Sequence, residues 1–272
     1  MTDHERAELL ELASRLAVQA GQMVMLGRAS SGIAAADTKS SSTDVVTEFD
    51  RASEALIVAG IRETRPDDGI VGEEGTSSSG TSGMHWLIDP IDGTTNFLYG
   101  LPGYAVSIAV RSSVDDPADT EVGVVYVPTT GELFTAARGS GAFLNGAPIR
   151  CSDTTDLSLA LVGTGFSYQP ERRGLQARRV AELLPRVRDV RRLGAAAPDL
   201  CYVAAGRLDV YFEQYLGPWD LAAGELIARE AGCRTGAIEG GPVHPGSVLV
   251  ATPALFDAAR SLIAEVDESL RN

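Results

Sequence analysis

Lysine is nearly missing from this chain. Of its 23 basic residues only Lys39 is lysine, and the rest are arginine. Such a bias commonly follows a GC-rich genome. A lysine that survives it is either chance or a place where a compact, hydrated ammonium serves better than a guanidinium fork. Lys39 stands just before the first acidic cluster, which favours the second reading. Cysteine is also scarce: Cys151, Cys201 and Cys233 are odd in number and widely spaced. That excludes a disulfide framework and suggests buried thiols in a reducing cytoplasm. The three histidines, His4, His85 and His244, are far apart and accompany no cysteine motif, which excludes a zinc cluster. No Cys, His or Ser nucleophile constellation is visible either. No apolar run reaches the roughly 18 residues of a membrane helix. The start, Met1-Thr2-Asp3-His4-Glu5-Arg6, lacks the apolar stretch of a signal peptide. Positive charge is outnumbered, and the formal net charge is −14. This argues against nucleic acid or an anionic membrane as the main partner. An anionic substrate would require bound divalent cations to reverse the field locally.

The 272 residues, 44% of them hydrophobic, suffice for one large domain, residues 1–272, or two closely packed halves dividing near residue 150. Apolar spacing predicts a helix over 5–27, a loop from Gly27 to Ser42, and a helix from about Thr43 to Arg65 that stops at Pro66. A short strand is expected at Ile70–Glu73. The run Gly75–Gly83 reads as a flexible surface loop. The middle reads as antiparallel sheet: His85–Asp89, Tyr104–Arg111, Glu121–Val127, Glu132–Ala136 and Ala142–Leu144, with a hairpin at Asn145-Gly146. After Cys151, strands at Ala160–Thr164, Leu208–Glu213 and Val248–Thr252 alternate with helices at Pro170–Leu184, Ala196–Ala205, Leu221–Ala231 and Ala254–Leu270. There is no internal repeat. The pattern is that of a layered α/β (α+β) sandwich.

Trp86-Leu87-Ile88-Asp89-Pro90-Ile91-Asp92-Gly93-Thr94-Thr95-Asn96-Phe97 carries the most chemistry. An apolar strand ends in Asp89, held extended by the proline that follows it, and Asp92 returns three residues later. These hard oxygens, with the Ile91 carbonyl, suit Mg²⁺. Gly93 and Thr94 offer unhindered N–H groups and a hydroxyl at a helix start, which suits a phosphate. The same residues also read as an Asp-Pro turn and an ordinary cap. Glu73-Glu74 follows a strand, where successive side chains point to opposite sides, so one could hold a metal and the other a water. Asp44 is expected near a helix start and Asp50 about two turns on. Trp219-Asp220-Leu221-Ala222-Ala223-Gly224 places an aspartate at another helix start, followed by small residues that permit close packing. Five separate caps are a poor account of all these together.

These residues are similar to the two signatures of the inositol monophosphatases, namely Asp89 to Phe97 and Trp219 to Gly224. Gly72-Glu73-Glu74 and the Lys39, Asp44, Thr47, Asp50 pattern add two further matches in the expected order. One departure is Cys233 after Gly232, where the family usually has Gly or Ala. The resemblance implies an αβαβα sandwich of the inositol monophosphatase and fructose-1,6-bisphosphatase type, usually a homodimer. It implies a lithium-sensitive phosphomonoesterase using two to three Mg²⁺ ions. Glu73, Asp89 and the Ile91 carbonyl would hold the first ion, and Asp89, Asp92 and Asp220 the second. Glu73 with waters would contribute to a third, and Glu74 would hold a water. Asp50 and Thr94 would activate the attacking water. Asp92, Gly93, Thr94, Ala195, Ala196 and Glu213 would contact the substrate.

Glu213 favours a polyol, and inositol-1-phosphate is the first expectation. The same superfamily contains fructose-1,6-bisphosphatases, histidinol-phosphate phosphatases and phosphatases of 3′-phosphoadenosine nucleotides. No aromatic platform for adenine is evident in the sequence. The arginines Arg186, Arg188, Arg191 and Arg192 read as an exposed basic face or as cations for a second phosphate. With Arg172, Arg173, Arg178 and Arg179 they also allow a protein- or RNA-binding role on the same scaffold, although the net charge makes nucleic acid unlikely.

Overall fold

The computed structural model describes residues 1–31, 36–39, 45–113 and 117–270. Helix α1 (Asp3–Ser31) precedes a two-stranded ribbon, β1 (Ala36–Thr38) and β2 (Val45–Thr47), and then α2 (Glu48–Thr64). Eight strands follow: β3 (Gly69–Gly72), β4 (Ser77–Ser78), β5 (His85–Asp92), β6 (Ala105–Arg111), β7 (Thr120–Val127), β8 (Glu132–Ala137), β9 (Ala142–Leu144) and β10 (Ala147–Ile149). The short α3 (Thr94–Tyr99) leaves the end of β5. The second half contains β11 (Leu161–Thr164), α4 (Pro170–Leu183), β12 (Asp189–Arg191), α5 (Ala196–Ala204), β13 (Val210–Glu213), α6 (Pro218–Glu230), β14 (Arg234–Gly236), β15 (Val248–Ala251) and α7 (Phe256–Ser269).

The eight strands form one sheet in the order β10-β9-β8-β7-β6-β5-β3-β4, antiparallel except where β3 meets β5. The later strands form a second sheet, β12-β11-β13-β15-β14. Alternation along the strands assigns the faces. Trp86 and Ile88 pack with Leu12, Leu16, Ile57 and Ile61 of α1 and α2. Leu87 faces the opposite way, toward Leu200 of α5 and Leu221 and Leu226 of α6, in the same core as Tyr211, Val248 and Val250 of the second sheet. Val210, Phe212, Leu249 and Ala251 turn to the outer helices and pack on Phe256, Leu262 and Ile263. The result is five layers, αβαβα, with α5 and α6 shared between the two sheets.

Local departures from the sequence reading have identifiable causes. Helix α1 runs on to Ser31, and part of the expected 27–42 loop is strand β1. Residues 45–47 are extended rather than helical, as the β-branched run Val45-Val46-Thr47 favours. Helix α2 begins at Glu48 because Thr47 and Asp50 form a reciprocal capping box. Asp50 therefore sits in the first turn. Thr43 and Asp44 lie outside the described residues. The 75–83 segment is tied down: Ser77 and Ser78 pair with Val71 and Ile70, and Glu54 accepts from Glu74 N, Thr76 N and Thr76 Oγ1. Helix α6 begins at Pro218, a residue suited to the first helical position. That puts Asp220 inside the first turn. Strands β10, β12 and β14 are short additions that the sequence reading lacked.

Candidate active site

The central feature of the site is a break in β5. Its pairing with β6 shifts between Asp89 and Asp92, where Pro90 has no N–H to donate. The irregularity is held from behind by Ser53 Oγ, which donates to Pro90 O at 3.0 Å. Asp89 turns back on its own chain, accepting from Ile91 N at 3.0 Å. Asp92 accepts from Ala197 N at 2.6 Å, which ties the eight-stranded sheet to α5. Asp220 accepts from Gly217 N at 2.7 Å.

Glu73, Asp89 and Asp220 converge, with one oxygen of each within 4.8 Å of the others. Carboxylates tolerate such approach only with a proton or a cation between them. Burial, reinforced by repulsion from the neighbouring acids, holds Asp89 and Asp92 well above the ordinary carboxylate range. Burial and Glu73 push Asp220 up to about 7. The donors are all oxygen, the set that a hard divalent ion takes. Lys39 Nζ already places a cation at the rim, 2.9 Å from Glu73 Oε1 and in contact with Glu74. These residues therefore fit a divalent metal. Asp92 stands at the same strand end but serves the Ala197 amide.

Beside the acids, Asp50 is fully ordered by its partners. Its Oδ2 accepts from Thr47 N at 2.8 Å and Thr47 Oγ1 at 2.6 Å. Thr94 Oγ1 lies 3.1 Å from Asp50 Oδ1 and 3.0 Å from Ile91 O. Burial raises the Asp50 pKa, and the Thr47 and Thr94 hydrogen bonds oppose that shift. Gly93 has φ 87°, and a Cβ there would stand 2.9 Å from the Ala195 methyl, so only glycine fits. Helix α3 has six residues, so the cradle at Gly93 and Thr94 consists of backbone donors, with little added by a helix dipole.

A cavity of about 330 Å³ connects these groups to the second half of the chain. Ala195, Ala196 and Glu213 line it together with Lys39, Glu73, Asp89, Ile91, Asp92, Gly93, Thr94 and Asp220. Glu74 does not; its carboxylate is engaged by Lys39. Glu213 accepts from the Tyr211 hydroxyl. Burial, opposed by that bond, pushes its pKa up to about 7. Gly165 makes room for it, since a Cβ there would stand 2.0 Å from Glu213 Oε1.

Several lining residues escaped the sequence reading. Asp199 is 1% exposed, and its Oδ1 has no partner among the described residues. Burial and the Glu213 charge hold it well above the carboxylate range. Its position one turn into α5, next to the Ala195-Ala196 pair, was the available signal. Phe166, Tyr168, Tyr215 and Trp219 also line the cavity, so aromatic surface is present where none was expected. Arg172 stacks over Tyr215 at 4.1 Å. The basic run divides: Arg186 pairs with Glu265 and Arg191 with Asp189, while Arg192 lines the cavity. Arg179 is bound by Asp267. No helix among the described residues is long and apolar enough to cross a membrane.

A layered αβαβα fold with an oxygen-only acidic cluster beside a backbone cradle defines a class of metal-dependent phosphate-processing proteins. Within that class, residues 5–271 match the model of the inositol monophosphatase family, and the chain belongs to that family. It is 42% identical to inositol-1-monophosphatase of Mycobacterium leprae over 275 residues, covering 94% of this chain and 93% of that protein. It is also 42% identical to the Nus factor SuhB of Escherichia coli K12 over 254 residues, covering 92% and 93%. The crystal structure of the extragenic suppressor protein suhB from Bartonella henselae superposes with a TM-score of 0.88 at 34% identity, covering 94% of this chain and 98% of that one.

Proposed function

We propose that this chain is a Mg²⁺-dependent phosphomonoesterase acting on a polyol phosphate, with myo-inositol-1-phosphate as the first substrate. The observation that carries this reading is the convergence of Glu73, Asp89 and Asp220 beside the Asp50–Thr94 pair. Glu73, Asp89, the Ile91 carbonyl, Asp92 and Asp220 would hold two to three ions. Bound there, the ions supply positive charge against the phosphoryl oxygens and acidify water. Thr94 Oγ1, donating to Asp50, keeps its lone pairs free to orient a water, and Asp50 is positioned to take the proton. Gly93 and Thr94 N–H groups steady the phosphate. Ala195 and Ala196 border the ring, and Glu213, fixed by Tyr211, accepts from a hydroxyl of the leaving alcohol. Glu74 and Lys39 set the charge at the rim.

The test is phosphate release from inositol-1-phosphate, fructose-1,6-bisphosphate, histidinol phosphate and 3′-phosphoadenosine phosphate, with and without Mg²⁺. Release that requires Mg²⁺ and is fastest on inositol-1-phosphate supports both chemistry and substrate. A different preferred substrate reassigns the far end of the cavity alone. Inhibition by lithium and a homodimer in solution belong to the same reading. Leu26, Tyr99 and Leu101, exposed near the Arg28–Phe97 contact, offer apolar surface for a second copy.

A second reading rests on the relatives named Nus factor SuhB: a partner-binding role alongside catalysis. Arg179, Arg186 and Arg191 are already paired with acids, and the net charge of −14 weighs against RNA, so a protein partner is favoured. Salt-sensitive capture on the Asp89→Asn variant separates this role from turnover.

A further inference from the structure

A second cluster of reactive side chains lies away from the carboxylates. Cys151 follows β10, where the chain leaves the eight-stranded sheet. Cys233 follows α6, the helix whose first turn carries Asp220. Their segments are joined: Cys151 N donates to Ala231 O at 3.1 Å, and a Cβ on Gly232 would stand 3.9 Å from Cys151 Sγ. The two thiols are close enough to shift each other's titration, and both are free. Cys151 is half-buried, whereas Cys233 is buried. Cys233 is also the position where the family resemblance leads one to expect Gly or Ala, so the fold does not call for a thiol there.

We propose that Cys151 and Cys233 form a redox-active dithiol, a modification site that a low-molecular-weight disulfide such as oxidised glutathione closes into an intramolecular disulfide. Cys151 is the attacking group. It is the more accessible of the two, and the neighbouring Cys233 thiol lowers its pKa to about 7 against the effect of burial. The same proximity, with burial, pushes the Cys233 thiol up, which keeps it protonated until needed. The Cys151 thiolate attacks one sulfur of glutathione disulfide, forming a mixed disulfide and releasing one glutathione thiolate. Cys233 then loses its proton to solvent and attacks Cys151 Sγ, and the second glutathione leaves. The two protein thiols are oxidised by two electrons, and one small disulfide is reduced to two thiols. Cys233 needs access only to Cys151, so its burial is no obstacle. Cys201, fully buried in the core between the sheets, remains a thiol.

The test is the intact mass of the reduced, full-length protein after incubation across a series of glutathione redox ratios. The expected result is loss of two hydrogens, one thiol remaining after unfolding, and a Cys151–Cys233 peptide pair on digestion. Cys233→Ser should stop at a single glutathione adduct on Cys151, and Cys151→Ser should not react while folded. Wild-type protein that keeps all its thiols under strongly oxidising ratios overturns the proposal. So does a wild-type glutathione adduct that never resolves, or a bridge that includes Cys201. None of these readouts depends on turnover, so the outcome is independent of the proposed phosphatase reading.

Discussion

The two ends of the cavity are assembled differently. The carboxylate end draws Asp89, Ile91, Asp92, Gly93 and Thr94 from one strand-to-helix turn, and adds Glu73 from just past the adjacent parallel strand and Asp220 from the first turn of α6. The far end draws Gly165, Phe166 and Tyr168 from the loop after β11, Arg192 to Asp199 from the entry to α5, and Glu213 to Gly217 from the loop after β13. The first end is centred on one short segment and dominated by charge. The second is a meeting of three loops, dominated by packing and isolated polar groups. A short covalent path fixes the geometry that chemistry needs, whereas loops on separate elements can vary the accepted alcohol without disturbing it.

Breaking the carboxylate end should have the largest effect. Asp89→Asn removes the acid placed between Glu73 and Asp220, and phosphate release is expected to fall by more than the ~100-fold typical of outer metal partners. Near-normal turnover at saturating Mg²⁺ would sink the metal assignment. Thr94→Val should lower kcat by about 100-fold, the lower end for losing a proton-handling group, with little change in KM. A rise in KM alone would instead make Thr94 a binding residue.

The far end should respond in KM and only with the right alcohol. Glu213→Ala is expected to raise KM for inositol-1-phosphate by about 10-fold, as losing a hydrogen bond to a charged group does, while an aryl phosphate is less affected. An equal loss on both substrates removes Glu213 from recognition.

The two ends also share a pH signature. Glu213 and Asp220 titrate near 7 when folded, above their unfolded values, so the folded state holds protons that the unfolded state has released. Metal-free stability should therefore fall as pH rises from about 4 to about 7. Thermal unfolding checks this, and Mg²⁺ should restore more stability at pH 8 than at pH 5 if the carboxylate end binds it. A metal-free Tm that rises across that range would contradict the burial assigned to these acids. Smallest of all, Arg186→Ala on the outer face breaks an exposed pair with Glu265. It should change stability by less than about 1 kcal/mol and leave turnover untouched, as a denaturant titration and one assay would show.

Much of the carboxylate end was legible because its residues lie close in sequence and their types are chemically narrow. Asp-Pro-Ile-Asp-Gly-Thr points to cation and phosphate chemistry once a second acidic pair and a third acidic helix start are present. The antiparallel strands within 85–144 were legible for a similar reason: neighbours joined by short turns follow alternation. The start of α2 was misread because apolar spacing alone does not see the Thr47–Asp50 capping box. Asp199, Phe166, Tyr168 and Tyr215 were missed because each is ordinary within its own segment. Their significance comes from a cavity that only the packing of α5 against both sheets creates.

By itself, the sequence determined most of the elements and the cation-seeking acids, because these follow from residue type and short-range periodicity. Only the tertiary structure decided which acids meet, which arginine of the run faces the cavity, and that the Cys151 and Cys233 segments come together. Those facts depend on contacts between residues tens to more than a hundred positions apart, and no local pattern records the distance at which a chain folds back on itself.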